Sequence, residues 1–248
     1  MTRSRLFRRA AVVAVAGATA MGLASLSQNA SAETEVPVFD FADCPRIPAG
    51  ADPAKWRCEV LMSSGTIELG GLAEQPLGAM RMVFAEGQSD GKYAQVFGSL
   101  QAEPTRVLGG LLGIPGSDDR NPLLRLDVRI EYAGFADFLS VGDQMGEQHL
   151  KLRVISPLLP STCTIGDDKD PIKLRPTRTS GPDVVSTNPP VARFTMADKQ
   201  FAVPRARGCN GLDRLLDKRF GLPAASGTNL LKMTTLVQMK YYNQLPTG

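Results

Sequence analysis

The stretch from Leu124 to Tyr132 admits one regular backbone geometry. Leu124, Leu126, Val128, Ile130 and Tyr132 alternate with Arg125, Asp127, Arg129 and Glu131. Successive side chains of an extended chain point to opposite faces, so a period of two describes a strand with one dry and one wet face. Leu150, Leu152 and Val154 repeat the pattern against Lys151 and Arg153, and Leu231, Met233, Thr235, Val237, Met239 and Tyr241 do so near the C-terminus. One-sided strands of this kind belong to antiparallel sheets, because strands of a covered parallel sheet are apolar on both faces.

Four further strands are expected over Gly65–Leu72, Ala79–Glu86, Tyr93–Leu100 and Lys199–Val203. Between the second and third of these lies GQSDGK, a Gly-flanked turn suited to a hairpin. One helix is expected after Asn210 and Gly211, where LDRLLDKRF puts Leu212, Leu215, Leu216 and Phe220 on a single face before Gly221 and Pro223 close it. GFADFLSVG reads as a shorter turn with Phe135, Phe138 and Leu139 on one side. About eight short strands and so little helix predict an all-β fold, an antiparallel β-sandwich or barrel with one short helix in the C-terminal half. The polar, proline-rich run from Arg175 to Pro190 reads as a long loop or linker.

The N-terminus is read as an export signal over residues 1–32. MTRSRLFRR is a basic head, AAVVAVAGATAMGLASL an apolar middle broken by Gly17 and Gly22, and Ala30–Ala32 a small-residue cleavage site. The run is interrupted and followed by a cleavage site, which points to a cleaved signal and to no membrane anchor after cleavage. Arg8 and Arg9 precede Ala10 and Ala11, not a bulky apolar pair, so general secretion is expected over twin-arginine export. Cleavage would remove four arginines and no acid, turning the formal charge of +3 into −1. The basic balance thus belongs to the leader, and no clustered Lys/Arg surface is left to suggest nucleic acid. Residues 33–248 are long enough to bury about 70% of their unfolded surface, and a single secreted domain is expected.

Cys44, Cys58, Cys163 and Cys209 all follow the expected cleavage point. An even count in an oxidising compartment reads as two disulfides, and three connectivities satisfy it. Cys44–Cys58 with Cys163–Cys209 is preferred, because the first pair brackets CPRIPAGADPAKWRC, which has no periodic pattern of its own, and the second ties the two sides of the proline-rich run together. Zinc is disfavoured by the lack of a C-x-x-C pair and by a single histidine.

Candidate chemistry is sparse. SDDRNPLLRL, from Ser117, and GDDKDPIKL, from Gly166, are two versions of one pattern: paired aspartates, a base, an Asn or Asp before proline, then apolar residues. Proline fixes its own backbone angle and extends its neighbour, so both read as solvated turns that lead into a strand. Asp167, Asp168 and Asp170 form a weak calcium candidate, since calcium wants six to eight oxygens and a lysine stands among these acids. RVLGGLLGIPGSDD lacks the Gly-Lys-Ser/Thr of a phosphate loop; its glycines suit tight approach or positive φ, and its leucines a partner-binding or lipid-dipping loop. His149 lies on the wet side of a strand, and no G-x-S-x-G elbow presents a serine to it. Trp56, two residues before Cys58, is expected to pack on the disulfide and not to stack a sugar.

PLLPSTCTIG (Pro157–Gly166), DPI (Asp170–Ile172), FAVPRARGC (Phe201–Cys209) and GLPAASGTN (Gly221–Asn229) together resemble a group of secreted actinobacterial proteins that carry no assigned activity. Both cysteines of the second pair fall in these pieces, which fits their pairing. The chain departs from the pattern at Ser156, Pro160 and Asn210, all turn positions. The resemblance implies a cell-envelope or extracellular protein and brings no catalytic residue. The sequence therefore predicts a secreted, disulfide-stabilised binding or structural module with an extracellular or envelope partner, no cofactor and no catalytic site. The alternative is an extracellular carbohydrate-active hydrolase using paired carboxylates, and a third reading is a calcium-stabilised adhesion domain.

Overall fold

A computed structural model describes residues 36–89 and 91–246. The expected signal segment, residues 1–32, lies outside the described residues. The chain first lays down β1 (Trp56–Leu69), β2 (Leu72–Ser89) and β3 (Lys92–Ala102) as an antiparallel meander. It then builds a second sheet from β4 (Thr105–Arg106), β5 (Asp127–Asp137), β6 (Glu147–Ile155), β7 (Thr164–Ile165) and β8 (Ile172–Leu174). β9 (Thr177–Thr187) and β10 (Pro190–Asp198) return to the first sheet, β11 (Ala206–Arg207) joins the second, and β12 (Leu230–Tyr241) inserts between β1 and β10. The first sheet has the order β3-β2-β1-β12-β10-β9; the second has β11-β7-β6-β5-β4, with β8 also on β6. The one-turn helix α1 (Ser117–Arg120) and the longer α2 (Asp213–Phe220) lie in connections. The expected all-β antiparallel sandwich with a short helix is the fold observed.

The alternating segments fold as their period requires. In β5 and β6, Val128, Ile130, Leu150, Leu152 and Val154 are buried between the sheets with Leu126, Ile165, Phe201, Phe220 and Leu231. On the outer face Glu131 accepts from Arg129 Nη2 at 2.9 Å and from Arg153 Nη2 at 2.8 Å, bridging two arginines that the register sets opposite each other. In α2, Leu216 and Phe220 reach the core and Leu212 packs beside it, whereas Leu215 is turned to solvent, which narrows the expected face. Gly65 lets β1 and β12 approach: a Cβ there would stand 1.9 Å from the Lys232 carbonyl oxygen.

Several segments depart from the sequence reading. Arg175–Pro190 is not a loop, because most of it forms β9, an edge strand laddered to β10; its own first residues, Thr177 and Arg178, also bond to Gln144 and Asp143. Gly181 and Pro182 sit where the β9–β10 register slips, the one place in a strand where a missing N–H breaks no ladder. Phe135 and Phe138 do not belong to a helical turn; β5 runs on to Asp137, and Phe138 folds inward to stack on Phe84 at 4.0 Å. Lys199–Val203 is irregular, with only Val203 bridging to Ala224, because Phe201 is held in the core by its side chain and not by a ladder.

β1 begins at Trp56, well before the expected Gly65. Both of its faces are covered at this end, so the period of two vanishes from the sequence. On one face Cys58 and Val60, with Val83 of β2, pack under Phe39, Phe41, Cys44, Tyr242 and Leu245. The Cys44–Cys58 disulfide fastens this outer layer, and Cys163–Cys209 closes the second sheet over the main core; these are the pairs preferred from the sequence.

Candidate functional site

The opposite face of that same end of β1 is not filled. Register places Arg57 beside Glu86, Glu59 beside Phe84 and Leu61 beside Met82, so all six side chains share the face turned towards the second sheet. Val237 of β12 stands opposite Leu61, and Phe194 and Met196 of β10 continue the wall. Phe138, Leu139, Ser140 and Met145, from the connection between β5 and β6, close over the top. The cavity they line, partly open to solvent, measures about 310 Å³. Its walls are thioethers, phenyl rings and aliphatic carbons, and its charged groups are gathered at one end.

That end is a hydrogen-bonded cluster. Arg57 Nε lies 2.8 Å from Glu59 Oε1 and 2.8 Å from Glu86 Oε1, and its Nη2 also donates to Glu86. Tyr93 Oη donates to Glu86, and Gln95 Nε2 donates to Tyr93 Oη. Gln95 Oε1 then accepts the Phe138 backbone N–H at 2.8 Å, which ties the covering connection to the polar end. Burial, together with the adjacent Glu86 carboxylate, pushes Glu59 up to about 7 in spite of Arg57. Burial also works against the charge on Glu86, but hydrogen bonds from Tyr93 and Glu59 and the Arg57 charge hold it below the ordinary carboxylate range. The pair therefore takes up one proton in the neutral range, held on Glu59, while Glu86 stays ionised. Burial, reinforced by the Glu86 carboxylate, raises the Tyr93 phenol far enough that it remains a donor at neutral pH.

The residues singled out by sequence lie elsewhere. Asp167 Oδ1 accepts the backbone N–H groups of Lys169 and Asp170 at 2.8 Å each, while Arg207 binds Asp167 Oδ2 at 3.3 Å and Asp170 Oδ2 at 2.7 Å. Asp168 faces away to Lys151, 2.6 Å from its Nζ. The calcium candidate is thus three carboxylates each answered by a cation, and among the described residues no group of three or more His, Cys, Asp or Glu converges as metal ligands do. The sister stretch is not a solvated turn: Asp118 is buried in α1 and accepts from Arg106 Nε at 2.9 Å. Gly109, Gly110, Gly113 and Gly116 all take positive φ, as their loop requires, and leave Leu108, Leu112 and Ile114 exposed.

His149 meets Glu147 Oε1 at 2.7 Å and lies against Phe135 at 4.7 Å, on the outer side of the second sheet. Trp56 has no exposed surface; its indole N–H donates to the Gln88 carbonyl at 2.9 Å and its ring covers Gly87, so it presents no stacking platform. Glu59 and Glu86 escaped the sequence reading because they lie 27 residues apart and meet only through the β1–β2 register. The local cue was an acid inside each apolar run, CEVL and FAEG.

No protein-family model, no curated protein and no solved structure matches this chain. Among the described residues no helix is long and apolar enough to cross a membrane.

Proposed function

We propose that this chain is an exported, non-catalytic binding module, of the actinobacterial envelope or its surroundings, that holds one small ligand with an apolar body between its sheets. The observation that carries the reading is the 310 Å³ cavity walled by Leu61, Met82, Phe84, Phe138, Met196 and Val237, with its polar groups converging at one end. Small-molecule sites have this composition, an apolar surround with a few fixed polar groups that set orientation. The two disulfides suit a chain that works in an oxidising compartment. Methionines at 82, 145 and 196 give the walls side chains that adapt to an occupant without moving the backbone.

The carbohydrate-hydrolase alternative draws less support from the same residues. Glycosidic acids stand about 5 to 10 Å apart across the scissile bond, whereas Glu59 and Glu86 stand on one wall, each 2.8 Å from the same Arg57 Nε. The test is titration with a neutral naphthyl fluorophore, followed by its emission and by Trp56 quenching. Saturable one-to-one binding is expected, with loss of binding in Met196→Trp, which fills the cavity, while circular dichroism stays unchanged. Absence of saturable binding, or hydrolytic turnover abolished by Glu59→Gln, would overturn the proposal.

A further inference from the structure

Resting on that reading of the cavity, we infer that its ligand is a small primary amine carried on an apolar chain or ring, bound with its ammonium between Glu59 and Glu86. The inference comes from the donor and acceptor inventory of the polar end. When both acids are ionised, the cluster of Glu59, Glu86 and Arg57 carries one net negative charge at one end of an otherwise apolar cavity. Arg57 and Tyr93 already supply donors to Glu86, whereas Glu59 has only the Arg57 charge beside it, at 2.8 Å. What the pair lacks is one cationic donor, the place the Glu59 proton takes when the cavity has no ligand. An alkylammonium brings that charge with three N–H groups and makes the cluster neutral.

An anionic head fits badly. It would have to take Arg57 from two carboxylates and stand beside both. A neutral hydroxyl could bond Glu59 but would leave the net charge unbalanced. Size restricts the body: 310 Å³ is at the lower end of ligand cavities and accommodates one short chain or one ring system, not a two-chain lipid.

Acid–base linkage follows from the geometry. The groups facing Glu59 are Arg57 on its own strand, Glu86 on β2, Tyr93 on β3 and the neutral Gln148 on β6; Val237, Phe194 and Met196 from β12 and β10 carry no charge. An entering ammonium displaces the proton that Glu59 holds, so amine affinity is full above about 7 and declines as pH falls below it.

Isothermal titration of the mature protein with octylamine, octanol and octanoate at pH 8 separates the outcomes. Octylamine is expected to bind about ten- to a hundredfold more tightly than octanol, the range a charge-assisted bond supplies, with octanoate weakest. The amine-to-alcohol ratio is expected to collapse towards one in Glu59→Gln and to fall between pH 8 and 6 in the unsubstituted protein, so the pH series decides if the variant does not fold. A ratio near one, a ratio unmoved by both perturbations, or tighter octanoate overturns the amine assignment and leaves the cavity reading standing. Failure of all three probes to bind overturns the cavity reading itself.

Discussion

The Glu59 proton can be tested without any ligand, through the stability of the fold. Glu59 is pushed up to about 7 in the native chain from an ordinary value of 4.5. Between those values the native state holds a proton that the unfolded chain has released, so stability falls as pH rises. The raised value stabilises the fold fully at and below about 4.5, and that contribution is gone once pH has passed 7. At ~1.36 kcal/mol for each pH unit, the loss is about 3 kcal/mol between pH 4.5 and 7. Glu86 is held low, so its own titration lies below this window and does not mask the slope. Glu59→Gln keeps the size and a donor for Glu86 but cannot ionise. Urea denaturation followed by Trp56 fluorescence, repeated from pH 5 to 8, should show the unsubstituted protein losing about 3 kcal/mol relative to the variant. The single histidine, His149, is common to both chains and cancels in the difference. Parallel stability curves would refute the claim that the cavity wall keeps a carboxyl protonated.

Three further outcomes follow from particular contacts. Loop closure gives Cys163–Cys209, 46 residues apart, about 4 kcal/mol and Cys44–Cys58, 14 apart, about 3 kcal/mol. The double serine variants should lose denaturation free energy in that order, and only the second should speed chymotryptic cleavage at Phe39 and Phe41, which its disulfide holds on β1. Asn229 accepts the Gly70 N–H at 2.9 Å and donates to the Phe201 and Ala225 carbonyls at 2.8 and 3.0 Å, so Asn229→Ala should cost about 2 to 4 kcal/mol in the same assay. Because Arg207 and Lys151 already answer the acids at Asp167, Asp168 and Asp170, millimolar calcium should leave the melting temperature unchanged; a rise that Asp168→Asn removes would restore a calcium site.

What the sequence disclosed is governed by how many faces of a strand are dry. β5 and β6 have one, as does β12 from Leu231 to Val237, and their alternation gives strand, direction of burial and sheet class together; beyond Val237 the expected face fails, because Gln238 is buried and Met239 and Tyr241 are exposed. β1 has a covered face under Phe39 and Phe41 and a second face on the cavity, so its first nine residues carry no readable period. β9 fails for the opposite reason: as an edge strand exposed on most of its length, it tolerates the Thr, Ser, Gly and Pro that mark loops elsewhere. Disulfide pairing was legible from the pattern-free segment between Cys44 and Cys58 and from the run that Cys163 and Cys209 bracket. The polar end of the cavity was not, because Arg57, Glu59, Glu86 and Tyr93 come from three strands and are assembled only by register.

That register also explains why an acid is found in a wall that could have been sealed. Leu61, Met82, Phe84 and Val237 would pack against an apolar side chain at 59 with no charge to desolvate, and the Glu59 share of the pH dependence would vanish. Instead the chain puts two carboxyls side by side, opposes them with one arginine and keeps a tyrosine protonated to hold the second. Here the exceptions to ordinary burial are crowded together, whereas the other buried acids, Asp118, Asp198 and Asp217, stand singly, each answered by an arginine or by backbone N–H groups. Such a concentration of exceptions marks a function more reliably than any single residue type does. The covering connection is tied to the cluster through Gln95 and Phe138, so the segment that roofs the cavity and the charged group at its end are joined by hydrogen bonds.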